Sequence, residues 1–460
     1  MADTIALMRK RVLDMAIRGE LVDQRPEEGS AEELILSFKK ENKLKEINKD
    51  EIPYTIPQSW LWVDFESIIK SIGTKNNQIK SKEIENTGTI PVVSQGKEYI
   101  DGFSNQVDKS ISPKKPVILF GDHTRNVKYI DFEFIIGADG TKIFESLLAD
   151  SKYLFRWVQH ASTFIENRGY SRHYSLLKKI PVPIPPLAEQ KRIVAKIEDI
   201  FAVIDQIGTK KEEALSIIRK MRQTALQDAI MGVLVDQEDE DEPASILYEK
   251  IQAEKEKLVK EKKMKKEKPL PEIEVGEIPF DIPESWKWVR LGNVIYLISG
   301  RDLATNEFNY ENKGLPYITG ASNFNNGELV INRWVENPKV ISKLDDLLIT
   351  VKGTVGEMLF QKEEQAHIAR QVMAIRKASR TNLKFIKYFL DAELTKLKDR
   401  AKSMIPGVSR EDILHFEFPM PPLVEQERIV DKLDEIMEIC DQMEAIFDGT
   451  SEMNMNLNVI

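Results

Sequence analysis

The sequence predicts an α+β fold: two α+β domains with a coiled coil of two long helices, built by internal duplication. Three repeated stretches carry this reading. P-V-P-I-P-P-L-A-E-Q-K-R-I-V, which begins at Pro181, returns as F-E-F-P-M-P-P-L-V-E-Q-E-R-I-V, which begins at Phe416. Gly19-x-Leu21-Val22-Asp23-Gln24 returns as Gly232-x-Leu234-Val235-Asp236-Gln237. I-P-Y-T-I-P-Q-S-W, ending at Trp60, returns as I-P-F-D-I-P-E-S-W, ending at Trp286. The chain is therefore one unit of roughly 200 residues written twice.

Prolines open the first repeat because they lack a donor N–H and suit the start of a helix or the extended chain before it. In the helix that follows, Ile193, Ile197, Ile200, Ile204 and Ile207 alternate steps of four and three, and Ile429, Leu433, Ile436, Cys440 and Met443 repeat that phase. This spacing is a coiled-coil seam, and the shared phase predicts that the two seams pair with each other. The alternative is two core helices in separate domains. The helices that precede Gly19 and Gly232 stop there, because glycine adopts the left-handed conformation at low cost. The central region holds both helical pieces in succession, whereas the C-terminal region holds only the first. The N-terminal helix is the missing piece, so the repeat closes in a circle.

These boundaries divide the chain into an N-terminal helix and charged linker (1–51), an α+β domain (52–184) and a central helical region (185–235). A charged linker (236–277), a second α+β domain (278–420) and a C-terminal helix and tail (421–460) follow. Ser30 with Glu33 forms a candidate capping box. The lysine-rich run 257–268, interleaved with glutamate, reads as a solvated helical linker. Within the α+β domains, short apolar runs such as V-I-L-F and L-L-I-T, broken by Gly, Pro, Asn and Asp, read as strands.

Composition narrows the function. With 460 residues, of which 42% are hydrophobic, the chain can bury real cores. Its single cysteine excludes a disulfide framework and a Cys-based zinc site, and its place on the seam makes it a small buried hydrophobe. No apolar run reaches membrane-spanning length and no signal-peptide core is visible, so the expected compartment is the cytoplasm. The net charge of −9 argues against a nucleic-acid partner, but its distribution does not. Residues 52–180 sum to roughly +3 and 278–418 to roughly +2, while 419–460 carry about −8.

Phosphate-binding glycine loops, metalloprotease helices and nucleophile elbows are all missing from the sequence. The five histidines lack metal-ligand spacing. What remains is donor-rich loops. Gly121–Lys128 supplies His123, Thr124, Arg125, Asn126 and Lys128 after a strand-like run. Neighbouring loops add Ser94, Gln95, Lys97, Arg172 and His173. The second domain supplies Arg301, Ser322, Asn323, Lys352, Thr354, Arg370, Gln371 and Arg410. Arg, Asn, Gln and Lys match base edges or neutralise phosphates, so these residues are the candidate DNA contacts. Ordinary polar turns are the competing reading.

Taken in this order, the three paired repeats resemble the specificity subunit of Type I restriction-modification systems, over nearly the whole chain. The resemblance implies two target recognition domains separated by an antiparallel coiled coil of the two long helices, each domain reading one half of a bipartite, asymmetric site in double-stranded DNA. It also implies docking of two methyltransferase subunits and of restriction subunits. S-adenosylmethionine, ATP and Mg would be used by those partners, with no cofactor and no metal bound by this chain and no catalytic residue in it. The rival is a coiled-coil scaffold with two protein-binding domains and no base readout.

Overall fold

The computed structural model describes residues 2–48, 50, 52–137, 140–166, 169, 172–262, 268–325, 327–378, 380–400 and 407–448. The chain divides into two compact units, Met1–Glu212 and Glu213–Ile460. The first contains helices α1 (Ala2–Arg18), α2 (Ala31–Lys39), α3 (Ser151–Phe164), α4 (Tyr174–Leu177) and the first part of α5 (Leu187–Met231). The second contains the rest of α5, then α6 (Ala244–Lys260), α7 (Leu291–Val294), α8 (Leu383–Ala392), α9 (Leu394–Arg400), α10 (Arg410–Leu414) and α11 (Leu423–Asp448).

The two α+β domains repeat one topology. In the first, an antiparallel sheet runs in the order Ile69–Ile72, Thr141–Ser146, Val117–Gly121, Val127–Ile130. In the second the order is Ile295–Ser299, Val372–Lys377, Leu347–Thr350, Met358–Phe360. Each has a second sheet with one parallel pair, Ile90–Val93 with Ile135–Ile136 and Leu315–Ile318 with Gln365–Ile368. The chain enters and leaves each domain on an antiparallel strand pair, Leu61–Val63 with Val182–Ile184 and Lys287–Arg290 with Glu417–Met420. In the second domain, Gln365–Ile368 and Val372–Lys377 are separate strands, divided at Ala369-Arg370-Gln371.

Helix α1 ends at Gly19 (φ 78°) and α5 at Gly232 (φ 74°), as expected. Glu20 N bonds Met15 O at 2.9 Å and Val233 N bonds Asp228 O at 3.0 Å, so each left-handed turn satisfies a terminal carbonyl. Ser30 caps α2 by accepting from Glu32 N at 3.1 Å. The charged segments are not purely solvated: Ala31 and Ile35 of α2, and Ala244, Leu247 and Ile251 of α6, are buried in their units' cores. Part of the lysine run, 263–267, and the tail after 448 lie outside the described residues.

Within each unit the seam is buried over most of its length in that unit's own core. Ile193, Ile197 and Ile204 share a core with Leu13, Ala16 and Ile17 of α1 and with Trp157 of α3. Ile429 and Leu433 share one with Ala225, Ala229 and Ile230 of α5. Both helix pairs are antiparallel: Arg9 pairs with Asp205 while Gln24 reaches Glu189, and Arg222 pairs with Asp441 while Gln237 reaches Glu425. Each seam faces a copy of the Gly-terminated helix, because that helix supplies small residues, Ala16 and Ala229, against the large seam side chains. Ile200 and Ile436 are partly buried, Cys440 is buried, Met443 is intermediate, and Ile207 is 51% exposed.

At the head of each seam lies a buried carboxylate. Glu189, 1% exposed, accepts Trp60 Nε1 at 3.0 Å on one oxygen and Gln24 Nε2 at 2.6 Å on the other. Gln24 in turn accepts Ser59 Oγ at 3.0 Å. Glu425 repeats the arrangement with Trp286 (2.9 Å), Gln237 and Ser285. The next residue ties the helix to the α+β domain. Gln190 Oε1 accepts Asp150 N at 2.7 Å and Gln426 Oε1 accepts Asn382 N at 3.1 Å, and Asp150 and Asn382 are the N-caps of α3 and α8. Trp60→Phe or Trp286→Phe leaves a buried carboxylate oxygen unpaired and should cost about 1–3 kcal/mol in denaturant unfolding. Trp62→Phe, at a partly exposed ring, should cost less.

The units differ beside this node. His160 of α3 meets Asp14 of α1 at 3.2 Å, and Arg18 Nε lies 3.0 and 3.1 Å from the two Asp14 oxygens. Burial pulls the His160 imidazole below its usual pKa, against the hydrogen bond from Asp14; Arg18 and Lys10 are the cations facing it. The native state therefore binds fewer protons than the unfolded chain, and the sign of linkage is fixed. Stability is present above about pH 6.5 and is lost as pH falls below it. Glu189 contributes the opposite slope, since burial pushes its carboxyl up despite Trp60 and Gln24. Unfolding of wild type and His160→Gln across pH 5–8 should isolate the histidine: the variant should show the weaker loss of stability towards acid.

Candidate nucleic-acid interface

In the first unit the candidate loops meet at one end of the sheet. After Val117–Gly121 the chain reverses tightly: Arg125 N bonds Gly121 O and Gly121 N bonds Asn126 O, both at 2.8 Å. The loop after Ile90–Val93 lies across this turn. Gln95 O accepts Thr124 Oγ1 at 2.6 Å and Asn126 Nδ2 at 2.9 Å, and Gln95 Oε1 accepts His123 N at 3.1 Å. A Cβ on Gly121 would lie 2.2 Å from Thr124 Oγ1 and 2.9 Å from Gln95 Cβ, so only glycine allows this approach. Asp122 brings in a third segment, accepting His173 N (2.8 Å) on its carbonyl and Tyr174 N (2.8 Å) on its carboxylate.

Lys97, Thr124 and Arg172 are exposed at this end, and Gln95, His123 and Asn126 are intermediate. Four candidates are engaged with or buried among the protein's own groups. Lys128 is 4% exposed and donates to Glu98 O, and burial lowers its pKa against the pull of Asp101 and Glu98. His173 is fully buried on Asp122 O, and Ser94 is 6% exposed. Arg125, held at φ 62°, spends its guanidinium on Ile165 O (2.7 Å) just past the end of α3, which makes it a brace. Arg168, Tyr170 and Ser171 lie outside the described residues.

The second unit gathers its loops at the same end of its sheet. Val351 N bonds Gln371 O and Arg301 N bonds Ile368 O, both at 2.9 Å, and Val408 N bonds Val351 O at 2.8 Å. Asp302 organises Arg370, accepting its backbone N at 3.1 Å and its Nε at 2.7 Å. Arg301, Ser322, Thr354, Arg370 and Gln371 are exposed and Lys352 is intermediate. Asn323 is fully buried, accepting from Thr319 N (2.8 Å) and donating to Val330 O (2.8 Å). Arg410 is also a brace, donating to Leu297 O at 2.6 Å.

Asp122 and Asp302 were not among the candidates, although each is the acid within a donor-rich loop. That placement is the signal that could have marked them as organisers. Among the described residues no group of three or more His, Cys, Asp or Glu could hold a metal ion, and no helix is long and apolar enough to cross a membrane. Each end thus presents ammonium, guanidinium, amide and hydroxyl donors on loops organised by an aspartate, buried Asp122 in the first unit and exposed Asp302 in the second. This donor set suits base edges and phosphate oxygens.

Residues 59–216 and 283–446 match the family model described as the Type I restriction modification DNA specificity domain. The chain is 23% identical to the Type I restriction enzyme EcoAI specificity subunit of Escherichia coli, over 98% of this chain and 92% of that protein. It is also 23% identical to the EcoEI specificity subunit of Escherichia coli, again over 98% and 92%. A chain from a solved structure concerning complex assembly and conformational transition of the type I R-M system shares the fold. Its TM-score is 0.62 at 21% identity, over 86% of this chain and 95% of that one. With the family model matched once in each unit and over most of the chain, this protein belongs to the Type I restriction-modification DNA specificity family.

Proposed function

We propose that each unit carries a target recognition domain, 52–184 in the first and 278–420 in the second, that reads one half of a bipartite, asymmetric site in double-stranded DNA. The observation that carries this reading is the convergence, in both units, of exposed donors at the same end of the same sheet. Two poles of equivalent topology but different side chains suit two different half-sites. The chain supplies specificity and a scaffold for two methyltransferase subunits and for restriction subunits. It is not itself an enzyme: S-adenosylmethionine, ATP and Mg serve the partners, and no cofactor is bound here. Its expected place is the cytoplasm with those partners.

Substitutions at the exposed donors test the division of labour. Arg172→Ala in the first unit, or Arg301→Ala or Gln371→Ala in the second, should cost about 1–3 kcal/mol where the side chain reads a base, and should relax one half-site only. The check is binding selection from randomised duplexes. Unaltered selection by all three variants would remove these ends from the DNA surface, and labelled methyl transfer by the isolated chain would contradict its non-catalytic role.

A further inference from the structure

Beside the recognition turn of the first unit lies a small open pocket, distinct from the loops described above. We infer that this pocket, with Lys142 at its edge, binds one backbone phosphate of the DNA, a contact that the second unit does not make. The inference rests on the proposed DNA-reading function and deepens it.

The register places the pocket at the DNA-facing end. Thr141 pairs with Gly121, the last residue before the recognition turn, and Lys142 follows it on the opposite face of the strand. The cavity measures about 270 Å³ and is lined by Ser71, Gly73, Thr74, Thr141, Lys142 and Tyr174 among others. A Cβ at Gly73 would meet nothing within 4 Å, so the backbone there stands open. The Lys142 side chain is 44% exposed, with its ammonium 4.0 Å from a carboxylate oxygen of Asp122 and 6.0 Å from the centre of the Tyr174 ring. Asp122 itself is 5% exposed, so it anchors the ammonium from behind while the outer hemisphere faces solvent.

The chemistry favours phosphate over a base edge. An ammonium and hydroxyls donate without directional pairing, and the pocket wall has no Asn, Gln or Arg to pair bidentately with a base. The second unit has lost the arrangement. At the equivalent register, opposite Leu347–Thr350, it carries Met373, an apolar side chain 8% exposed. Arg410, which starts α10 as Tyr174 starts α4, is committed to Leu297 O. The cation in this position is therefore a property of one half-site.

The test uses the full chain and measures affinity for specific and unrelated duplexes as salt is raised. Lys142→Gln should weaken both duplexes by the same factor and reduce the slope of log affinity against log salt by about 0.9, the value for one phosphate contact. Lys142→Arg should keep the wild-type slope, and Thr74→Val, which leaves the Asp122 ion pair intact, should weaken both duplexes without changing the selected bases. Met373→Gln should leave the slope unchanged. An unaltered slope in Lys142→Gln, with wild type binding specifically, would overturn this inference alone. Altered base selection in that variant would overturn it in favour of base reading, and a wild-type chain that bound no DNA would overturn the recognition reading with it.

Discussion

Each unit depends on one buried carboxylate, Glu189 or Glu425, taken out of water at the head of a helix. Burying an ionised carboxylate is costly unless its oxygens are satisfied, and both oxygens are: an indole N–H fills one and an amide N–H the other. Position helps as well, because each acid stands in the first turn of its helix, where the dipole favours negative charge. The three segments that meet there are the three repeated stretches of the chain. A Gly-terminated helix delivers the glutamine, the strand leading into the domain delivers the tryptophan, and the Pro-Pro helix delivers the acid.

From that node the order passes outward through specific bonds. Gln190 and Gln426 hold the N-caps of α3 and α8, and those helices pack on the sheets whose far ends carry the recognition loops. Arg192 and Arg428 close the other side with paired bonds to Glu28 and Asp241. The duplicated chain has kept this frame in both copies and varied what it carries. Where the first unit sets Asp14 against His160, the second has Gln227 reaching Ala392 O. Where the first has Lys142, the second has Met373. Frame and loop surface are thus separable.

Much of the frame was legible because it is written twice in period and punctuation: the seam spacing, the glycine stops and the Trp-bearing turns. The helix on which each seam packs within its own unit was not, because a shared phase names no partner. Ala16 and Ala229 join the seam cores only once the helices are placed. The recognition ends were legible as loops but not residue by residue. Donor type does not reveal whether Arg125 faces solvent or Ile165 O, or that Lys128, on a strand, turns inward to Glu98 O. Lys142 was invisible for the opposite reason: it stands in a strand with no motif, and only the register beside Gly121 brings it to the site.

The most direct measurement of the division between units is selection of randomised duplex by the intact chain, alone and with the methyltransferase subunits proposed for it, followed by sequencing of the bound pool. Two short blocks of fixed, unlike bases separated by a spacer of constant length and unconstrained sequence are expected. A single uninterrupted block, or a pool with no enriched bases, would contradict the assignment of one half-site to each unit.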